Sequence, residues 1–312
     1  MEVIMNRRKF LGIAGGVVGG VCLSGCEGMN NMIWGDKMPF KISLAQWSLH
    51  NRLSGNAQPA LDNLDFAQEA KKLGFNAVEY VNQFFMDKAK DKDYINEMKK
   101  RAADNGVKSL LIMCDNEGSL GDPDNARRTQ TVENHYKWAD AAKQLGCHSI
   151  RVNAASSGAY DEQQKFAADG LSRLCEYGAK VGLNVIVENH GGFSSNADWL
   201  VGVMKMVDMP NCGTLPDFGN FERGPEGYRV DIYESVQKMM PYAKSVSAKS
   251  YGFDENGDET MIDYYRMVDI VLNSGYKGYI NVEYEGRDLS EEEGIIATRK
   301  LLEKIREERM SA

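Results

Sequence analysis

The chain of 312 residues has few histidines, scattered cysteines and no excess of positive charge. Each shortage excludes something. Beyond Cys22 and Cys26, the cysteines Cys114, Cys147, Cys175 and Cys212 form no CxxC pair, which excludes zinc-ribbon and dithiol redox motifs. Cys114, Cys147 and Cys212 lie in or beside strand-like stretches, where a thiol serves as a small apolar side chain, and no structural disulfide is expected. A formal net charge of −8 opposes a nucleic-acid backbone as partner, because phosphate binding needs a basic face. After Phe40 there is no low-complexity tract, no internal linker and no glycine-rich phosphate turn behind an early strand.

What is present begins with an address. Asn6-Arg7-Arg8-Lys9-Phe10-Leu11 reads as a twin-arginine segment, followed by small and apolar residues from Gly12 to Leu23. That run is shorter than the ~20 residues a spanning helix needs, so a signal peptide is the expectation. Leu23-Ser24-Gly25-Cys26 resembles a lipoprotein cleavage box with Cys26 as the lipidated residue. The expected organisation is therefore a signal over residues 1–26, a tether over 27–39 and one domain over 40–312. Export to the periplasm, with the membrane reached only through the lipid, follows from this reading.

From Phe40 strand-like and helix-like stretches alternate. The expected strands are Lys41 to Gln46, Ala77 to Val81, Val107 to Met113, Ser149 to Asn153, Leu183 to Glu188, Gly213 to Pro216, Ser245 to Lys249 and Tyr279 to Glu283. A helical pattern follows each: Pro59 to Leu73, Asp93 to Asn105, Asn125 to Leu145, Asp161 to Val181, Asn196 to Val207, Val230 to Met240, Thr260 to Ser274 and Ser290 to Arg309. Asn196 is the expected N-cap of its helix and Ser290-Glu291-Glu292-Glu293 an expected capping box. Gly74, Gly106, Gly146, Gly182 and Gly275 stand as helix stops before the next strand. Eight such units are the rhythm of a (β/α)8 TIM barrel. A doubly wound open sheet is the main competitor, and it would carry the phosphate turn that is missing.

In such a barrel, polar side chains gather at the C-terminal ends of the strands. Here that rule collects Gln46, Glu79, Asn82, Asp115, Arg151, Asn153, Glu188, His190, Asp217, Asn220, Lys249 and Glu283. Buried carboxylates in that number need a compensating cation. Oxygen ligands favour magnesium or manganese over zinc.

Three stretches carry a resemblance: Val187-Glu188-Asn189-His190, Pro216-Asp217-Phe218-Gly219-Asn220 and Val282-Glu283-Tyr284-Glu285-Gly286. Together they resemble the sugar phosphate isomerase/epimerase family, the xylose isomerase-like barrels, over Phe40 to about Arg309. The resemblance implies a divalent metal on Glu188, Asp217 and Glu283, with the two glutamates also acting as catalytic acid and base. It implies a sugar substrate contacted by Glu79, Arg151, Asn153, His190, Asn220, Lys249 and Trp47, and pairing of barrels into a homo-oligomer. The implied reaction removes a proton α to a carbonyl through a metal-stabilised enediolate. Return of a proton gives epimerisation or isomerisation; loss of a neighbouring substituent gives β-elimination from a 3-keto-glycoside. Where the family carries a histidine on strand seven, this chain has Ser247. The fourth position then falls to water, His190 or a substrate oxygen, or else Lys249 supplies the charge and no metal binds.

Plainer roles stand beside these. His190 would cap a turn, Glu79 would pair with Arg151, and Trp47 would fill core. His135 and His148 read as surface residues. The acidic run Asp254 to Glu259 lacks the length and closing glutamate of a calcium loop, so it reads as a solvated turn. Only Arg151 and Lys249 stand on the strands as phosphate partners, which points to a non-phosphorylated or keto sugar. A non-catalytic carbohydrate-binding lipoprotein and a metal-dependent nuclease are the rival classes.

Overall fold

The structure, a computed structural model, describes residues 38–311. The twin-arginine segment, Cys26 and nearly all of the tether lie outside the described residues. The sheet strands are β1 (Lys41–Ala45), β2 (Ala77–Val81), β3 (Lys108–Met113), β4 (Ser149–Val152), β5 (Asn184–Glu188), β6 (Cys212–Leu215), β7 (Val246–Ser250) and β8 (Tyr279–Tyr284). Helices follow in alternation: α1 (Phe66–Lys72), α2 (Lys92–Asp104), α3 (Asn125–Leu145), α4 (Tyr160–Val181), α5 (Ala197–Val207), α6 (Ile232–Met239), α7 (Tyr264–Asn273) and α8 (Glu291–Ser311). The strands are parallel and ordered β6-β5-β4-β3-β2-β1-β8-β7. Parallel bridges Thr214↔Ala243 and Asp217↔Ser247 join the remaining edges. Their backbone bonds, Phe218 N to Ser247 O at 3.0 Å and Ser247 N to Pro216 O at 2.9 Å, close the ring. This is the TIM barrel the spacing predicts.

Local chemistry sets the element ends. Gly146 and Gly182 adopt φ of 85° and 76° at the ends of α3 and α4, a conformation that costs glycine no Cβ clash. Asn196 caps α5 by accepting from Trp199 N at 3.1 Å, and Ser290 with Glu293 forms the expected capping box. Several boundaries differ from the sequence reading, most by one residue, and three have a local cause. β1 stops at Ala45, where the chain turns into the helical segments Gln46–Leu49 and His50–Leu53. α1 begins only at Phe66, because Asp62 accepts from Leu64 N at 2.8 Å and holds a separate 3-10 turn. α7 begins at Tyr264, because the Glu259 carboxylate takes the amides of Met261 and Ile262 that a longer helix would use. A small hairpin, Arg223–Gly224 with Gly227–Tyr228, was not anticipated after β6.

The main core lies between sheet and helices, with fully buried Trp138, Trp199 and Phe66 among its largest members. A second cluster sits within the barrel, formed by Ala45, Val81, Leu111, Met113, Ile186 and Leu215. Trp47 and Phe84 pack on that cluster. Branched and apolar residues thus fill the barrel beneath the site, as a packed barrel core requires. Cys114, Cys147, Cys175 and Cys212 are buried free thiols. Among the described residues no helix is long and apolar enough to cross a membrane.

Candidate active site

The carboxylates of Glu188, Asp217 and Glu283 come from β5, the end of β6 and β8. Their nearest oxygens all lie within 4.8 Å of one another, and all three residues are buried. Each is oriented by a different partner. Asn220 Nδ2 donates to Glu188 Oε1 at 2.8 Å. Asp217 Oδ1 accepts from the amides of Gly219 and Asn220 at 2.8 and 2.7 Å. Glu283 Oε1 accepts from Lys249 Nζ at 2.8 Å, and its Oε2 from Ser247 Oγ at 3.1 Å.

Two buried cations complete the cluster. Arg151 Nε lies 2.7 Å from Glu188 Oε2, a charge contact without hydrogen-bond alignment, so both atoms remain without a hydrogen-bond partner among the described residues. Its Nη1 donates to Asp115 Oδ1 at 2.7 Å, which Asn153 Nδ2 also reaches at 2.7 Å. Lys249 Nζ, 1% exposed as a residue, stands 4.0 Å from Asp217 Oδ2 and 3.3 Å from Glu285 Oε1.

These surroundings divide the acids. Burial raises Glu188 to about 7 against the pull of Arg151, with Glu283 adding repulsion. Burial likewise lifts Asp217 to about 7 against Lys249. Burial also pushes Glu283 upward, but the ammonium of Lys249 outweighs it and holds the carboxyl below its ordinary value. At Asp115, burial is overcome by Arg151 and the pKa falls to about 2.

The donor set fits a divalent cation. Glu188 Oε2 and Asp217 Oδ2 are buried oxygens without a hydrogen-bond donor among the described residues. With Asp115, Glu188, Asp217, Glu283 and Glu285 ionised, five carboxylates face only the two cations Arg151 and Lys249. Such a deficit is costly in a buried site. Glu188, Asp217 and Glu283 could hold the ion. His190 is not one of this group; it is exposed at the rim, its backbone amide donating to Ser194 Oγ at 3.0 Å. The expectation of His190 as fourth ligand therefore gains no support, and Ser247 is spent on Glu283.

Other expected residues are sorted by the tertiary structure. Trp47, Arg151, Asn153, His190 and Glu283 line one cavity of about 280 Å³. Trp47 is half-buried and stacks on His50, ring centroids 5.0 Å apart. Glu79 requires correction, for it neither lines that cavity nor pairs with Arg151. Fully buried, it accepts from Ser43 at 3.3 Å, Ser245 at 3.0 Å and Asn281 at 2.8 Å. Burial raises its carboxyl to about 8, against those three bonds, so it is a neutral acid inside the barrel. His135 is corrected too: it is 2% exposed and its Nδ1 lies 2.8 Å from Thr131 O. His148 is part-buried, 2.6 Å from Ser149 Oγ. The acidic run is a turn, with Asp254 Oδ1 accepting from the amides of Asn256 and Asp258 at 2.9 Å each.

Sequence reasoning gave Asn189 no role, yet it holds Asp217 in place. Asn189 Nδ2 donates to Asp217 O at 3.0 Å, and Asp217 N donates to Asn189 Oδ1 at 2.7 Å. Asn82 clasps Asp115 in the same way, both bonds 2.9 Å. The available signal was the same order at both sites: an asparagine just past one strand, an aspartate just past the next.

Fold and site together define a parallel α/β barrel with an acidic mouth able to take a cation. Residues 67–305 match the xylose isomerase-like TIM barrel family, and the chain belongs to it. Among solved structures it is similar to the 3-keto-D-glucoside 4-epimerase of E. coli (TM-score 0.66, 15% identity, 85% of this chain and 99% of that one). It is similar as well to the D-psicose 3-epimerase of Clostridium cellulolyticum H10 solved with D-tagatose (0.68, 14%, 86% and 99%). A xylose isomerase-like barrel from Mycobacterium smegmatis in complex with magnesium is a third (0.62, 18%, 87% and 97%). At such identities the likeness is one of fold. Among curated proteins, the C-glycoside deglycosidase alpha subunit of Microbacterium trichothecenolyticum is 34% identical over 87 residues, 28% of this chain and 22% of its own length. The 3'-dehydrocarminate deglycosidase alpha subunit of a Microbacterium species is 38% identical over 53 residues, 17% and 15%. These matches span about a fifth or less of the relatives' length.

Proposed function

We propose that the chain is a carbohydrate isomerase or epimerase that takes a proton from the carbon α to a sugar carbonyl. The observation that carries this reading is the meeting of Glu188 and Glu283, from non-neighbouring strands, in a buried cluster beside a small polar cavity. One carboxylate removes the proton and the other supplies one, to the opposite face or the neighbouring carbon. Arg151 and Asn153 orient hydroxyls at the cavity wall, Asn220 steadies Glu188, and Trp47 offers a face to the ring. A divalent cation on Glu188, Asp217 and Glu283, magnesium or manganese by its oxygen donors, supplies charge stabilisation of a developing oxyanion when bound.

The substrate is non-phosphorylated. What supports this is that both strand cations are committed to carboxylates, Arg151 to Asp115 and Glu188, Lys249 to Glu283 and Glu285. A second reading is favoured by the partial similarity to deglycosidase alpha subunits. There the substrate is a 3-keto-glycoside, the C–H electrons form a C=C bond, and the β-substituent leaves with its bonding pair and takes up a proton.

Proton NMR in deuterated buffer with magnesium or manganese tests both readings, using keto-sugars and 3-keto-glycosides. Loss of one α-proton signal, abolished by Glu283→Gln, is the expected result, and the product spectrum separates epimerisation from elimination. Saturable binding without exchange of any C–H would instead mark a carbohydrate-binding protein. From the Arg7-Arg8 segment and the box ending in Cys26 we also propose export and lipid anchoring.

A further inference from the structure

The mouth contains two cavities. The smaller, about 280 Å³, is walled by Trp47, Arg151, Asn153 and Glu283. The larger, about 1000 Å³, is lined by Phe193, Phe221, Tyr251 and Glu285 among others. His190 lines both, so the two adjoin at this residue. Lys249 links them from below, with Nζ 2.8 Å from Glu283 on one side and 3.3 Å from Glu285 on the other.

Size and wall chemistry both assign different contents to the two. A six-carbon sugar needs on the order of 200 Å³, the room of about seven waters at about 30 Å³ each. The smaller cavity has room for one such ring, and the larger offers several times that space. The smaller wall is guanidinium, amide and carboxylate, suited to hydroxyls. The larger wall sets three aromatic side chains, Phe193, Phe221 and Tyr251, among glycines and polar residues, and Tyr251 is held in place. The Arg223 guanidinium lies 3.9 Å from the Tyr251 ring centroid, and Tyr251 Oη donates to Gly219 O at 3.4 Å. A Cβ on Gly219 would stand 2.7 Å from that hydroxyl, so the close approach needs glycine. Preformed aromatic walls of this kind take ring faces.

We propose that the substrate is a glycoside, with its sugar ring in the smaller cavity and a ring-bearing substituent in the larger one, packed against Phe193. The inference rests on the enolising reading above and names its substrate class. An aryl group and a second sugar ring both present such a face.

Calorimetric binding of methyl and phenyl 3-keto-β-D-glucopyranosides and of a 3-keto disaccharide, beside solvent-deuterium exchange, tests it. The phenyl glycoside or the disaccharide is expected to bind about tenfold more tightly than the methyl glycoside. Phe193→Ala is expected to cut that preference about threefold or more. Val230→Asp, at a lining position that is 45% exposed, carries the same expectation with little load on folding. Phenyl above disaccharide assigns an aryl aglycone, and the reverse assigns a second sugar. Equal affinity for all three, with α-proton exchange intact, overturns the second cavity as a subsite and leaves the enolising site standing. Neither binding nor exchange with any of them overturns both.

Discussion

Asn189 and Asp217 hold each other by two reciprocal bonds, side-chain amide to backbone, of 3.0 and 2.7 Å. The asparagine sits one residue past β5 and does for Asp217 what a further ladder partner would do. Asp217 thereby keeps its backbone at the seam where β6 meets β7, while its carboxylate enters the cluster. Asn189→Ala leaves a buried amide and carbonyl unpaired. A loss of about 2–4 kcal/mol in denaturant unfolding is expected, with weaker binding of manganese. Unchanged stability would show that the clasp is redundant.

The cation site is checked by thermal shift. Magnesium or manganese at 100 times its Kd should stabilise the protein by about 2.7 kcal/mol. Asp217→Asn should remove most of that response, since it takes one charge and one donor from the three. A melting temperature indifferent to millimolar cation and to chelator would leave Lys249 as the charge that serves Glu283.

Lys249 and Ser247 are the residues to exchange next. Lys249→Met strips the ammonium from buried Glu283, and without added cation a cost of about 3–5 kcal/mol is expected. Added manganese should recover part of it. Ser247→His installs an imidazole where the family resemblance places one, and a rise in manganese affinity of about tenfold, or about 1.4 kcal/mol, is the expected outcome. Denaturant unfolding with and without manganese reads the first variant, and calorimetric titration reads the second.

Glu79 makes stability depend on pH. Its carboxyl has an ordinary value of 4.5 and is raised to about 8 in the fold, so the folded protein keeps a proton that the unfolded chain releases. The stabilisation is complete below about 4.5 and is lost as pH rises to about 8. For one proton the slope is about 1.4 kcal/mol per pH unit. Glu79→Gln should flatten the unfolding profile across that window. A variant with the wild-type slope would assign the dependence to another group.

Lipid attachment is a separate matter of the first residues. Labelled palmitate should enter the wild-type chain in a bacterial host and fail to enter Cys26→Ala. Equal labelling of the two would remove Cys26 as the anchor.

Much of the fold was legible in the sequence because its signals are local. Glycine stops, capping residues such as Asn196 and Ser290, and short β-branched runs act over a few neighbours, and α3 matches the expected bounds to the residue. The boundaries that moved did so through side chains that also act locally but against expectation. Asp62 and Glu259 take backbone amides that a longer helix would have used. The three acids of the candidate site were legible because each closes a short apolar run. Their partners were less so.

By itself the sequence determined eight strand–helix units and an acid at the end of the fifth, sixth and eighth strands. Only the tertiary structure decided which polar groups share a layer. It sent Glu79 inward to Ser43, Ser245 and Asn281, and it gave Arg151 to Asp115 and Glu188. It also buried His135 and opened a second, larger cavity beside the first. Those pairings join residues up to 202 positions apart. They depend on strand stagger and closure of the barrel, which no local pattern encodes.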